Sequence, residues 1–212
     1  MKKKTARNNK LNKVVKVMVL SDFFLNAGWG LVYPILAIFI VQSIEGGSAL
    51  VAGMAVGIYW IGKSIIQIPI AHYLDRHSGE KDDYLALFFG TMIMAIAPVF
   101  LIIATLPWHI YVAQAIQALG MALAWPAWSA IFTRHIASKR EAFCWSLDSS
   151  LIGIGAGLAG ILGGLLVQYF GFIPLFFARM VLTFIAAFMF LLIIADIVPR
   201  DKADRIFLFP KL

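Results

Sequence analysis

The chain is poor in charge and nearly devoid of cysteine. Only 14 % of its 212 residues are charged, and one cysteine, Cys144, is present. A single thiol excludes an intramolecular disulfide, an iron–sulfur cluster and a multi-cysteine zinc site; Cys144 reads as a small apolar residue inside a helix. Soluble domains carry roughly 25 % charged and 45–50 % apolar residues. Here 61 % of residues are hydrophobic and the mean hydropathy is +0.87, so the chain reads as an integral membrane protein. At about 20 apolar residues per helical crossing, there is room for roughly six spans. None is left for a separate soluble catalytic domain.

The apolar runs, read against their charged breaks, predict helices at 14–43, 48–71, 84–106, 108–133, 142–169 and 172–197. No strand-like alternation competes, and the class is all-α and polytopic. A basic tail over 1–13 and a second tail over 198–212 flank a six-helix domain over 14–197. The first apolar run is too long for a signal peptide and has no small-residue cleavage site, so it reads as retained. Sixteen of the eighteen Lys and Arg residues precede residue 17, follow span six, or lie between spans two and three or spans four and five. The other three connections contain none. By the positive-inside rule both termini face the cytoplasm of a multi-pass protein of the cell membrane. The net charge of +7 is therefore topological: it implies no nucleic-acid partner, and the bilayer itself is the partner, with contact to anionic lipid a secondary consequence.

Span one carries Gly28-Trp29-Gly30-Leu31-Val32-Tyr33-Pro34 and span four carries Gly120-Met121-Ala122-Leu123-Ala124-Trp125-Pro126. The two spans run in opposite directions, which is the signature of inverted three-helix repeats, here about 14–106 and 108–197. Both prolines are expected to break the helical ladder near mid-membrane. Asp22, Asn26, Trp29 and Tyr33 fall on one helical face of span one, and Gln114, Gln117, Met121, Trp125 and Trp128 on one face of span four. Such stripes face either a wet substrate cavity or polar partners that join helices. Three further charges lie within spans: Lys63, Asp148 and Arg179. Asp22, Lys63 and Asp148 share a depth of about 8–14 Å from the cytoplasmic boundary, where they are placed to pair or to couple transport. Arg179 lies nearer the outer end of span six and is expected to snorkel.

The stretch His72-Tyr73-Leu74-Asp75-Arg76-His77-Ser78-Gly79-Glu80-Lys81 resembles the cytoplasmic signature of the major facilitator superfamily. Asp75, Arg76, Gly79 and Lys81 take the places of its gating motif; Ala71 stands where the family has a glycine, one extra residue precedes Gly79, and Glu80 takes a usually basic place. Span four is similar to the family's cavity-lining helix, with Gln114 where many proton-coupled members have arginine, which speaks against proton antiport. In span five, Gly153, Gly155, Gly157, Gly160, Gly163 and Gly164 resemble the glycine-rich motif of the family's exporters, without its proline. The resemblance covers essentially the whole chain and equals one six-helix half, the N-terminal one, of a twelve-helix carrier.

The resemblance implies alternating access without covalent chemistry, and no cofactor. The small-molecule substrate stays open, with a weak preference for amphipathic or cationic solutes because aromatics flank Asp22. An intramembrane hydrolase would need Ser and His, or two Asp, at matched depth. His72, His77, His109 and His135 lie in or beside loops, and Asp22 and Asp148 lack the flanking glycine signature, so no catalytic or metal-binding residue is assigned and the chain does not read as an enzyme. Two readings remain: a half-sized carrier completed by a second copy or another half-transporter subunit, or a non-transporting remnant or fragment. Small-residue faces on span two (Gly53, Gly57) and span five (Gly153, Gly157, Gly160, Gly164) suit a parallel homodimer, or alternatively pack helices within one subunit.

Overall fold

The computed structural model describes residues 11–76 and 79–198. Its elements are α1 (Lys13–Val32), α2 (Leu36–Ser43), α3 (Ala49–Arg76), α4 (Glu80–Ile102), α5 (Pro107–His135), α6 (Glu141–Phe170) and α7 (Phe172–Met189), followed by a short 3₁₀ turn (Phe190–Ile193) and α8 (Ile194–Ile197). Six helical stretches are long and apolar enough to cross a membrane: α1 with α2, then α3, α4, α5 and α6 singly, then α7 through α8. The described residues contain no strand. The predicted spans are matched to within a few residues. The main difference is at the 72–83 connection, where α3 runs on to Arg76 and α4 already begins at Glu80. Glu80, Asp82 and Asp83 occupy the first turn of α4, where carboxylates complement the helix dipole. Gly79, at φ 129, makes the left-handed bend that lets the chain reverse so tightly.

The two prolines behave differently. Pro34 lacks the N–H that would continue the ladder, and span one indeed breaks at Tyr33–Ile35, but this is well past its middle rather than at mid-membrane. Pro126 breaks nothing: α5 continues through it to His135, as α3 continues through Pro69 and α4 through Pro98.

Packing follows the inverted repeat. Span one packs on spans five and six, span four packs on spans two and three, and spans three and six pack on each other; exchanging the first three spans for the last three maps this pattern onto itself. The repeated glycines mark the crossings. A Cβ added to Gly120 would stand 2.6 Å from the Gly90 carbonyl oxygen, and one on Gly28 would touch α7 at Arg179 and Leu182. Asn12 caps α1 through its side-chain oxygen, 3.2 Å from the Val14 nitrogen, and Lys13 pairs with Asp196 at 2.7 Å. That pair ties the first helix to the last at what is called here the basic end, which also carries Arg76 and Arg134. One apolar core fills that end around Met18, Tyr84, Trp128, Phe132 and Phe190. A second fills the opposite end around Phe39, Ile110, Leu175 and Phe176.

Spans two and five each pack mainly on one neighbour and leave most of their surface uncovered. Only 17 % of the apolar stretch of α3 and of α6 is buried, against 50 % in spans one, three and four. Lipid-facing helix surface is ordinarily large and apolar, whereas here the exposed faces also carry Gly53, Gly57, Ser64, Ser149, Ser150, Gly153 and Gly157.

Candidate functional site

On α1, Asp22 is buried. Asn26, one turn on, donates through Nδ2 to the Asp22 main-chain oxygen at 2.9 Å and to Asp22 Oδ1 at 3.0 Å. The second carboxylate oxygen, Oδ2, has no hydrogen-bond partner, and neither has Oδ1 of the equally buried Asp148 on α6. Asp22 lines a cavity of about 20 Å³ with Ser21, Thr91, Met121, Trp125 and Trp128. The unpaired indole nitrogen of Trp128 is buried too. Further along α1, Asn26, Trp29, Tyr33 and Pro34 form one wall of an open cleft of about 330 Å³, and Ala156, Gly157 and Gly160 of α6 form the other.

The α5 stripe divides. Gln114 and Gln117 are buried, whereas Trp125 reaches the open face. Gln117 Oε1 accepts a 2.8 Å hydrogen bond from Arg179 Nη2. Arg179 therefore does not snorkel. It is 4 % exposed, with its guanidinium 4.6 Å from the Trp29 ring centroid. Its position along span six gave the depth correctly, but its azimuth points it into the bundle, where an amide and an aromatic face replace water.

The expected pairing of Lys63 with Asp22 or Asp148 is absent: no ion pair joins them. Lys63 is half-buried, with its ammonium 5.3 Å from the Trp60 ring centroid and 5.5 Å from that of Trp125. These rings belong to an aromatic band. Trp125 stacks on Trp128 at 5.8 Å, Trp128 meets Trp145 of α6 at 5.8 Å, and Tyr59 lies 5.1 Å from both Trp29 and Trp60. The band joins α3, α5 and α6; Trp60, Trp125 and Trp145 are exposed, whereas Tyr59 and Trp128 are buried.

At the basic end, Asp75 and Arg76 are exposed at the last turn of α3, Gly79 caps α4, and Lys81 is half-buried in its first turn. Sequence reasoning missed the network beside them. Arg134, at the end of α5, pairs with the buried Asp83 and, at 3.4 Å, with Glu80, while His135 Nε2 stands 3.7 Å from Glu80. The available signal was an acidic first turn facing a basic last turn on the next span.

The glycines sort into two sets. Gly155 and Gly163 pack on α1, against the Phe23 ring and the Leu31 backbone, and Gly30 lies against the Ala156 backbone. Gly53, Gly57, Gly153, Gly157 and Gly164 have nothing within 4 Å, and Gly160 has only loose contact with Gly30 and Pro34. Of the six glycines expected at an interface, Gly160 is therefore in contact with α1, and the other five are not packed within the subunit. Cys144 is buried in the basic-end core.

With this geometry established, comparison with known proteins gives a consistent assignment. The family model of the Major Facilitator Superfamily matches residues 18–207. The chain is 25 % identical over 157 residues, 73 % of its own length and 39 % of the relative's, to a proton-coupled antiporter flippase, LtaA, of Staphylococcus saprophyticus. It is 25 % identical over 152 residues, 72 % of its length and 37 % of the relative's, to a multidrug resistance protein, MdtH, of Photorhabdus laumondii. The chain thus spans about two fifths of the length of the curated relatives it matches. Six apolar helices in two inverted repeats, and a family match over nearly the whole chain, make this a multi-pass membrane protein that belongs to the Major Facilitator Superfamily of transporters.

Proposed function

We propose that the chain moves a small solute across the cell membrane by alternating access, as a half-sized carrier completed by a second six-helix unit, in the first instance a second copy of itself. The observation that carries this reading is the pair of uncovered faces on α3 and α6, which carry glycines with nothing within 4 Å and exposed serines on helices only 17 % buried. In this fold the two halves of a carrier are related by an axis along the membrane normal, and a parallel two-fold dimer presents self-complementary surfaces. Small residues let such helices approach closely. Rocking of the two units about the aromatic band would then open it to each side in turn, with no covalent step. The positive-inside rule places both termini and the basic connections in the cytoplasm. A second reading, in which a covalently continuous half covers the same faces, is favoured by the span of about two fifths of each relative; it leaves the chemistry of the faces unchanged.

The test is exchange of labelled amphipathic ions across proteoliposomes containing only this chain. Protein-dependent counterflow is expected, and Gly157→Trp, which places a bulky ring on the open α6 face without touching the subunit core, is expected to abolish it. Absence of counterflow for every ion tried, in vesicles with correctly inserted protein, would sink the carrier reading.

A further inference from the structure

The charges within the spans do not all face the same way. Asp22, Asp148 and Arg179 are buried at 6 %, 4 % and 4 % exposure, whereas Lys63 is half-buried between Trp60 and Trp125, rings that are 50 % and 38 % exposed. At about 1.5 Å per residue, Lys63 lies roughly 20 Å from either end of α3, well inside the span. It forms no ion pair with any described carboxylate. A second copy of the chain offers none among its described residues either. Apart from the buried Asp22 and Asp148, every described carboxylate lies in a connection or within about a turn of a helix end. An ammonium at that depth is costly; the two π-faces offset part of the cost but accept none of its three N–H donors. Among the described residues within the spans, the cation at the open face is therefore framed by aromatic rings, whereas the Asp22 carboxylate is buried in the small cavity it shares with Trp125 and Trp128.

We propose that Lys63, clamped between Trp60 and Trp125, is the recognition point for an amphipathic anion: a carboxylate, phosphate or sulfonate group borne on an apolar body. The anion takes the ammonium's donors, and the body lies along the exposed faces of Trp60 and Trp125. This rests on reading the chain as a carrier, whose substrate class it names. It keeps the amphipathic half of the weak preference for amphipathic or cationic solutes read from Asp22 and its neighbouring aromatics, and reverses the cationic half.

The test uses the full chain in nanodiscs of zwitterionic lipid. Energy transfer from tryptophan to 1-pyrenebutyrate is compared with transfer to a pyrenebutyl-trimethylammonium probe, with empty discs subtracted and inorganic phosphate as competitor. Saturable binding of the anion is expected, about tenfold tighter than that of the cation, since a hydrogen bond to a charged group is worth that factor or more. Lys63→Gln should remove the preference by weakening the anion alone, Lys63→Arg should keep it, and inorganic phosphate should not compete. Equal binding of the two probes, or unchanged anion binding in Lys63→Gln, overturns the site. Full displacement by inorganic phosphate overturns the apolar part of the assignment. Charge-selective binding without counterflow in proteoliposomes would sink the carrier reading and leave the anion site standing, and counterflow without charge preference would do the reverse.

Discussion

Replacing Gly120 by alanine probes the α4–α5 crossing directly. The added methyl would stand 2.6 Å from the Gly90 carbonyl oxygen and 2.9 Å from the Met94 backbone nitrogen. Both are backbone atoms, so no rotamer change relieves the overlap and the two helices must separate. Overpacking of this kind costs about 1–3 kcal/mol, and alanine returns about 0.5–1 kcal/mol of helix propensity relative to glycine. The net expectation is a loss of roughly 1–2 kcal/mol. The same exchange at Gly57 or Gly153, where nothing lies within 4 Å, carries only the favourable contribution and should be neutral or stabilising by up to about 1 kcal/mol. Reversible unfolding of the monomer in mixed micelles of increasing dodecyl sulfate fraction, followed by tryptophan fluorescence, reads both. Similar losses at Gly120 and Gly57 would refute the division of glycines into packed and open sets.

Three further outcomes follow from the buried polar groups. Gln117→Leu leaves the guanidinium of Arg179, 4 % exposed, without its hydrogen bond and should cost about 1.5–3 kcal/mol in the same unfolding assay; Gln117→Glu should retain most of the stability, and a neutral Gln117→Leu would show that the pair is not formed. Asp22→Asn removes a charge whose Oδ2 has no partner, so stability should be unchanged or rise by about 1 kcal/mol, and a loss of more than about 2 kcal/mol would mean that the carboxylate is anchored. Arg134→Gln strips the partner from Asp83, whose side chain is 3 % exposed, and should cost about 1–3 kcal/mol; adding Asp83→Asn should restore most of it, and strict additivity in that double-mutant cycle would contradict the pair.

What the sequence made legible was the axial coordinate of each residue. Runs of apolar residues bounded by charge fixed six spans, because burial in hydrocarbon tolerates few charges within a run, and the Gly-Trp-Gly and Gly-Met-Ala copies exposed the inverted repeat. The azimuth was not legible. Arg179 lay within span six as its count implied, but only the packing of α7 against α1 turned it toward Trp29, within hydrogen-bond reach of Gln117 on α5. Asp22 and Lys63 share a depth, yet one faces the bundle and the other the open side, so a pairing allowed by depth does not occur. Pro126 marked a break that does not occur, since α5 runs through it, whereas Pro34 breaks its span between α1 and α2. Within the glycine run of α6, a one- or two-residue step decides whether a glycine meets α1 or open space, and composition carries no such information.

The central claim, that α3 and α6 of one chain receive α6 and α3 of a second, is tested most directly by depth-matched cysteines. Ile61 on α3 and Leu158 on α6 lie the same number of residues from the end opposite the basic one, and both are more than half exposed. In a Cys144→Ser background, chains carrying Ile61→Cys are coexpressed with differently tagged chains carrying Leu158→Cys and oxidised in native membranes. The account expects a mixed disulfide dimer that forms efficiently only when the two variants are combined, and no comparable product when Phe188→Cys, on the exposed face of α7, replaces either one. Active protein that remains monomeric, with mixed cross-linking no greater than that of the Phe188→Cys control, would contradict it.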